Sequence, residues 1–307
     1  TAMYRAKAAG KARYALFDAE LHTEVAQRMM IESDLRQALT RGELSVAYQP
    51  LFNISTGRLR GFEALARWHH AERGTIEPST FIQIAEESGL IIELTDFVLL
   101  RACRQMAQWH AIDPALADLK LQVNLSGSDL AHSALPERVE HALASSHFNP
   151  KQLTLELTEN ILMQRIESAM VALEALRKLG VSLAIDDFGT GYSSLAYLSS
   201  LPIDSLKIDR SFVHGMRRAG SKDAEIVRAI VSLGATLGKS VVAEGIESVS
   251  QLAQLRELGC EHGQGFHLSR PLTPQQAEAL LECLLTELHE PQAPAAYDTG
   301  LMPLVRH

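Results

Sequence analysis

From about residue 41 onward, short apolar runs alternate with longer helical stretches along most of the chain. A chain patterned this way must cover each strand with a helix, the arrangement of repeated βα units on a parallel sheet. Eight runs read as strands, near 44–49, 58–66, 119–124, 153–157, 181–186, 204–208, 240–244 and 262–266. Helices are expected at 79–88, 95–110, 133–146, 162–179, 222–237 and 248–258, with Gly180, Gly238 and Gly259 as C-caps of three of them. Thr273, Pro274 and Gln276 give the last helix a capping-box start with proline at its first position. Roughly 250 residues of eightfold alternation predict an α/β fold, a (β/α)₈ TIM-like barrel.

The barrel is expected over residues 41–290. Residues 19–40 read as a polar connector helix, with Leu21, Val25, Met29, Leu35 and Leu39 roughly at helical spacing. Residues 291–307 lack periodicity and read as a flexible tail. The first residue is Thr1, with no signal peptide, so the chain reads as a piece of a longer protein. Residues 1–18 differ in character from the rest of the chain.

Composition narrows the chemistry. The net charge of -8 argues against a groove for nucleic-acid polymers, which bind clustered positive charge. No run of 18 apolar residues marks a membrane span. Cys103, Cys260 and Cys283 lie far apart without metal-type spacing, which fits a reducing cytoplasm rather than a disulfide framework or zinc site.

Barrels of this type carry their chemistry at the carboxyl ends of the strands. The strand near 181–186 ends in Asp186-Asp187, followed by Phe188-Gly189-Thr190-Gly191-Tyr192-Ser193-Ser194. Adjacent carboxylates repel by about 1 to 4 kcal/mol at about 4 Å, so either a divalent cation holds both ionised or the pair forms a capped turn. Other strand ends supply Glu63, Asn124 and Glu156, then Lys207, Glu244 and Gln264. Oxygen donors without His or Cys select Mg²⁺ or Mn²⁺. In a two-metal phosphodiesterase Asp186 could bridge the ions and Lys207 could position or deprotonate the attacking water. The alternative for Lys207 is a structural ion pair with Asp209, Asp186 or Glu244.

These residues also make a specific match. The chain resembles the EAL domain family of cyclic di-GMP phosphodiesterases over about residues 30–290, through Tyr48-Gln49-Pro50-Leu51, Glu63-Ala64-Leu65, Arg67-Trp68, Asn124-Leu125-Ser126, Glu156-Leu157-Thr158-Glu159, the Asp186–Ser194 segment, Lys207-Ile208-Asp209, Glu244-Gly245-Ile246-Glu247 and Gln264-Gly265-Phe266. The resemblance implies hydrolysis of cyclic di-GMP to linear 5′-pGpG in bacterial second-messenger signalling, with two Mg²⁺ or Mn²⁺ ions. It assigns Glu63, Asn124, Glu156 and Asp186 to one ion and Asp186, Asp187 and Glu244 to the other. Lys207 would contact the nucleophilic water, Gln264 would fix the water or the lysine, Glu159 would brace the Asp-Asp loop and Glu247 would support the second-metal region. Arg67 would bind phosphate, Leu65 belongs to the substrate-facing triplet, Gln49 and Asp209 would lie near the dinucleotide, and Phe266 would stack on guanine. Arg67 paired with Glu63, and Phe266 in the core, are the structural alternatives. A homodimer through the barrel is implied by the same resemblance, while the cytoplasmic location is the expectation from cysteine usage. No membrane contact by this piece is expected, whatever upstream segments the parent carries. Met3-Tyr4-Arg5-Ala6-Lys7 onward is similar to the end of a GGDEF domain, the diguanylate cyclase-like family. The competing function is a catalytically silent cyclic di-GMP receptor, from which a complete ligand set distinguishes the enzyme.

Overall fold

A computed structural model describes residues 19–164, 166–191, 195–216 and 221–289. The GGDEF-like stretch at 1–18, the tail at 291–307, and Tyr192, Ser193 and Ser194 therefore lie outside the described residues. The chain clusters into two units, the first with described residues 19–45 and 67–94, the second 46–66 and 95–289.

In the first unit, helix α1 (Ala19–Arg41) precedes β1 (Leu44–Asn53), and the far end of β2 (Leu59–His70) pairs antiparallel with β3 (Gly74–Ile76) before α2 (Pro78–Ser88). Of the predicted apolar stripe on α1, Leu35 is buried while Met29 is exposed. Asp34 on this helix pairs with His70 and Arg73 of the hairpin at 3.3 and 3.6 Å. Trp68, fully buried, donates its indole N–H to Glu43 at 3.1 Å and meets Phe81 edge-on.

The second unit is the barrel. Its remaining strands are β4 (Lys120–Asn124), β5 (Leu153–Thr158), β6 (Ser182–Phe188), β7 (Ser205–Ile208), β8 (Ser240–Ala243) and β9 (His262–Gly263). The order β1-β9-β8-β7-β6-β5-β4-β2 closes on itself through a β1–β2 pairing. All eight predicted strands are present. One feature departs from a uniform parallel barrel, because β1 runs antiparallel to β9. The reason is local: only Ile54–Arg58 separate β1 from β2, too few residues for a crossover helix. Asn53 Oδ1 accepts the N–H groups of Ser55 and Thr56, closing an Asx turn.

The surrounding helices are α3 (Ile91–His110), α4 (Gly127–Ala131), α5 (Leu135–Ser146), α6 (Glu159–Gln164), α7 (Ile166–Lys178), α8 (Leu195–Ser200), α9 (Arg210–Gly215), α10 (Lys222–Leu237), α11 (Val249–Glu257) and α12 (Pro274–His289). The single helix expected at 162–179 corresponds to two, α6 beginning at Glu159 and α7 ending at Lys178. The capping box of α12 forms as expected, Thr273 N–H donating to Gln276 and Gln276 N–H to Thr273 Oγ1.

Candidate functional site

The site assembles where the parallel strands end. On β4 and β5, Asn124 and Glu156 face each other in register, and Thr158 of β5 pairs with Asp186 of β6. Along a regular strand, neighbouring side chains point to opposite faces, so Asp186 and Asp187 could not both serve one site. Strand β6 solves this with a register shift between Ile185 and Phe188, and Asp187 adopts φ +52°, a left-handed conformation that aspartate tolerates better than most residues. One carboxylate oxygen from each of Asp186, Asp187 and Glu244 then lies within 4.8 Å of the others.

Lys207 stands at the centre of the acids. Its Nζ lies 2.6 Å from Glu156, 2.7 Å from Glu244, 3.4 Å from Glu63 and 3.5 Å from Asp186. Two amides complete the network: Asn124 donates to Glu63 at 2.7 Å, and Gln264 donates to Glu63 at 2.6 Å and to Glu244 at 2.9 Å. Lys207 and Glu156 have no solvent exposure. Burial alone favours a neutral amine, but the charges of Asp186, Glu156, Glu244 and Glu63 outweigh it and hold the ammonium well above the ordinary lysine range. Burial also raises the carboxyls of Glu156, well above the usual range, and of Glu244, to about 8; the attraction of Lys207 fails to cancel it. Glu63 goes the other way, since Lys207 and the amides of Gln264 and Asn124 overcome the burial that would raise it. Asp187 rises to about 6 through burial, the adjacent Asp186 charge and Asp209.

One ammonium thus faces four carboxylates, with a fifth beside them. The site lacks positive charge. Glu156 Oε1 and Gln264 Oε1 are also buried without a hydrogen-bond partner in the protein. Unsatisfied hard oxygens beside an excess of negative charge are the donor set that a divalent cation such as Mg²⁺ would complete. The residues fit the group.

Glu159 begins α6 and is fully buried, where its Oε2 accepts the N–H of Gly189 at 2.8 Å and of Gly191 at 3.3 Å. A β-carbon on Gly191 would come within 2.8 Å of that carboxylate, so the loop needs glycine there. Asp209 caps α9 through the N–H of Ser211 and hydrogen-bonds Asp187, placing it among the acids' neighbours rather than against Lys207. Gln49 is buried and donates to the Ser269 carbonyl at 2.8 Å. Phe266 is 55% exposed, which removes the core alternative. Glu247 lies against His214 at 3.3 Å, both more than half exposed. Leu65 and Arg67 are half-buried on β2, Arg67 within the first unit.

Sequence reading missed a polar layer below the site. Gln122, Thr154 and Ser205 are buried two residues before Asn124, Glu156 and Lys207. The period of two along a strand puts each on the same face as its partner, and that offset was the available signal. It also missed the buried Asp129, which accepts from Thr95, Ser126 and Arg138 just after β4.

The family pattern described as EAL domain matches residues 32–271. The chain is 44% identical over 275 residues to the bifunctional diguanylate cyclase/cyclic di-GMP phosphodiesterase MucR of Pseudomonas aeruginosa, covering 90% of this chain and 40% of MucR. It is 43% identical over 280 residues to the cyclic di-GMP phosphodiesterase NbdA of the same organism, covering 91% and 35%. The chain spans two fifths or less of the length of these relatives. A solved structure described as a PaMucR phosphodiesterase c-di-GMP complex aligns with TM-score 0.77 at 45% identity, covering 81% of this chain and 99% of that one. The EAL enzyme Bd1971 in its cAMP- and cyclic-di-GMP-bound form aligns with TM-score 0.78 at 31% identity, covering 84% and 70%.

Proposed function

Because this chain belongs to the EAL domain family, we propose that it is a phosphodiesterase that hydrolyses cyclic di-GMP to linear 5′-pGpG with the help of Mg²⁺ or Mn²⁺. The observation that carries the reading is the under-neutralised cluster of Glu63, Glu156, Asp186 and Glu244 around the buried Lys207. A receptor that only holds the dinucleotide has no use for it. The relatives named for this activity, and the cyclic di-GMP complex that aligns over most of the chain, support the choice of substrate.

Glu63, Asn124, Glu156, Asp186, Asp187 and Glu244 are the residues that would hold the cations. Bound there, divalent ions would supply Lewis-acid polarisation of the phosphoryl oxygens and an acidified water. The chain's own groups do the rest. In hydrolysis the water oxygen bonds to phosphorus while the P–O3′ bond breaks, and the freed 3′-oxygen takes up a proton. With the acids around it Lys207 is held as an ammonium in the metal-free site, which places it to donate hydrogen bonds that orient the water. Glu244, 2.7 Å from Lys207 and hydrogen-bonded by Gln264, ties the lysine to the acids that would hold the cations. Gln264 fixes Glu63 and Glu244 relative to each other. Glu159 holds the loop after β6.

Homodimerisation, drawn from the family resemblance, and a cytoplasmic site of action, which the three free cysteines suit, belong to the same proposal. Light scattering over a concentration series tests the dimer, and a concentration-independent monomer contradicts it. For the activity, the protein is incubated with cyclic di-GMP and Mg²⁺ or Mn²⁺ and the linear product is followed by chromatography. Product formation supports the reading, and bound dinucleotide without product contradicts it.

A further inference from the structure

Two residues beyond Gln264, the exposed Phe266 ring carries the guanidinium of Arg270 at 4.7 Å from its centroid. No carboxylate is paired with Arg270 among the described residues. An exposed arginine with an aromatic face in place of an acid is a planar fork of donors held in one orientation and left open to a ligand. The segment that presents the pair is tied down on both sides. Gly265 runs so close to Ile246 that a β-carbon would sit 2.2 Å from its backbone nitrogen, and His267 N–H donates to the Ile246 carbonyl at 2.9 Å. Gln49 holds the Ser269 carbonyl, and Tyr48 and Leu272 exchange backbone hydrogen bonds at 2.8 and 2.9 Å. Phe266 and Arg270 therefore sit on a braced loop that leaves the barrel directly after the site residue Gln264.

We propose that Arg270 is a base-reading residue, which recognises the N7 and O6 acceptors of one guanine of the substrate while Phe266 supplies the apolar face beside it. This role rests on the phosphodiesterase reading of the site. Guanine presents two adjacent acceptors on that edge, whereas adenine presents one acceptor and one donor. The arginine fork matches the first and is left with a mismatched donor against the second. The Phe266 face attracts either base, because every base has a stacking surface. The two residues therefore have separable signatures: Arg270 sets which base is accepted, and Phe266 sets how well any base is held.

The test compares kcat/KM for cyclic di-GMP and cyclic di-AMP in the wild type and in Arg270→Gln, Arg270→Lys and Phe266→Ala, with melting temperature and metal binding as folding controls. Arg270→Gln is expected to reduce the guanine-over-adenine preference by about ten-fold. Arg270→Lys, which keeps the charge but loses the fork, is expected not to restore it. Phe266→Ala is expected to lower both substrates together. An unchanged preference in a folded Arg270→Gln overturns the inference and leaves the enzyme reading intact. Equal loss on both dinucleotides, restored by lysine, also overturns it, because that is the behaviour of a phosphate contact. A wild type that hydrolyses neither dinucleotide removes the enzyme reading and the inference with it.

Discussion

Lys207 is the residue on which the site's electrostatics turn. With no exposure and four carboxylates within 3.5 Å, it is held as an ammonium, and the acids are held as a group. Taking away one partner of a buried ion network leaves uncompensated charge and costs about 3 to 5 kcal/mol. Lys207→Ala is therefore expected to abolish turnover and to destabilise the metal-free protein by about 3 kcal/mol near neutral pH, less at acidic pH where the carboxyls are neutral. Calorimetry at two pH values checks this; an equally stable variant would mean that the acids are not ionised around the lysine. Asp186→Asn keeps the shape and removes one charge from the acid proposed to serve both ions, and product assays are expected to show its turnover lost. The strand-end acids were legible in the sequence because each interrupts an apolar run. Arg270 was not, since its partner Phe266 faces it only after the loop has folded.

At the scale of elements, strand β6 and helix α6 act together. The bulge at Asp186-Asp187 turns both side chains toward one site, and Glu159 at the start of α6 holds the loop beyond it by two backbone N–H groups. Partners that orient ligand-bearing segments typically matter by about 10- to 100-fold in metal affinity or activity. Glu159→Ala is accordingly expected to weaken Mn²⁺ binding by at least ten-fold in a calorimetric titration. Unaltered binding would show that the loop stands without its brace. The bulge itself could not be read from sequence, because two consecutive acids suit a turn as well as a strand end. Helices α4, α8 and α9 escaped for another reason: at five or six residues they are too short for a 3.6-residue period to show. The long helices and all eight strands carried enough periodicity to be placed. The β1–β2 hairpin was missed, although only Ile54–Arg58 separate the two strands, because eightfold alternation predicts parallel pairing throughout.

For the molecule as a whole, the raised carboxyls link stability to pH. Asp187 near 6 and Glu244 near 8 keep protons in the folded chain that an unfolded chain has already released. The folded state then binds more protons than the unfolded one between about pH 4 and 8, so stability falls as pH rises through that window. Divalent cations must displace those protons, so their binding strengthens in the same direction. The metal-free melting temperature is expected to decline from about pH 5 to about pH 8.5, and the increase produced by Mg²⁺ to grow over that range. A metal effect independent of pH would show that these two carboxyls are not ligands. The central claim is tested most directly by product. Incubated with cyclic di-GMP and Mg²⁺ or Mn²⁺, the wild type is expected to accumulate linear 5′-pGpG while Lys207→Ala and Asp186→Asn do not; wild-type protein that binds the dinucleotide and leaves it intact would contradict the account.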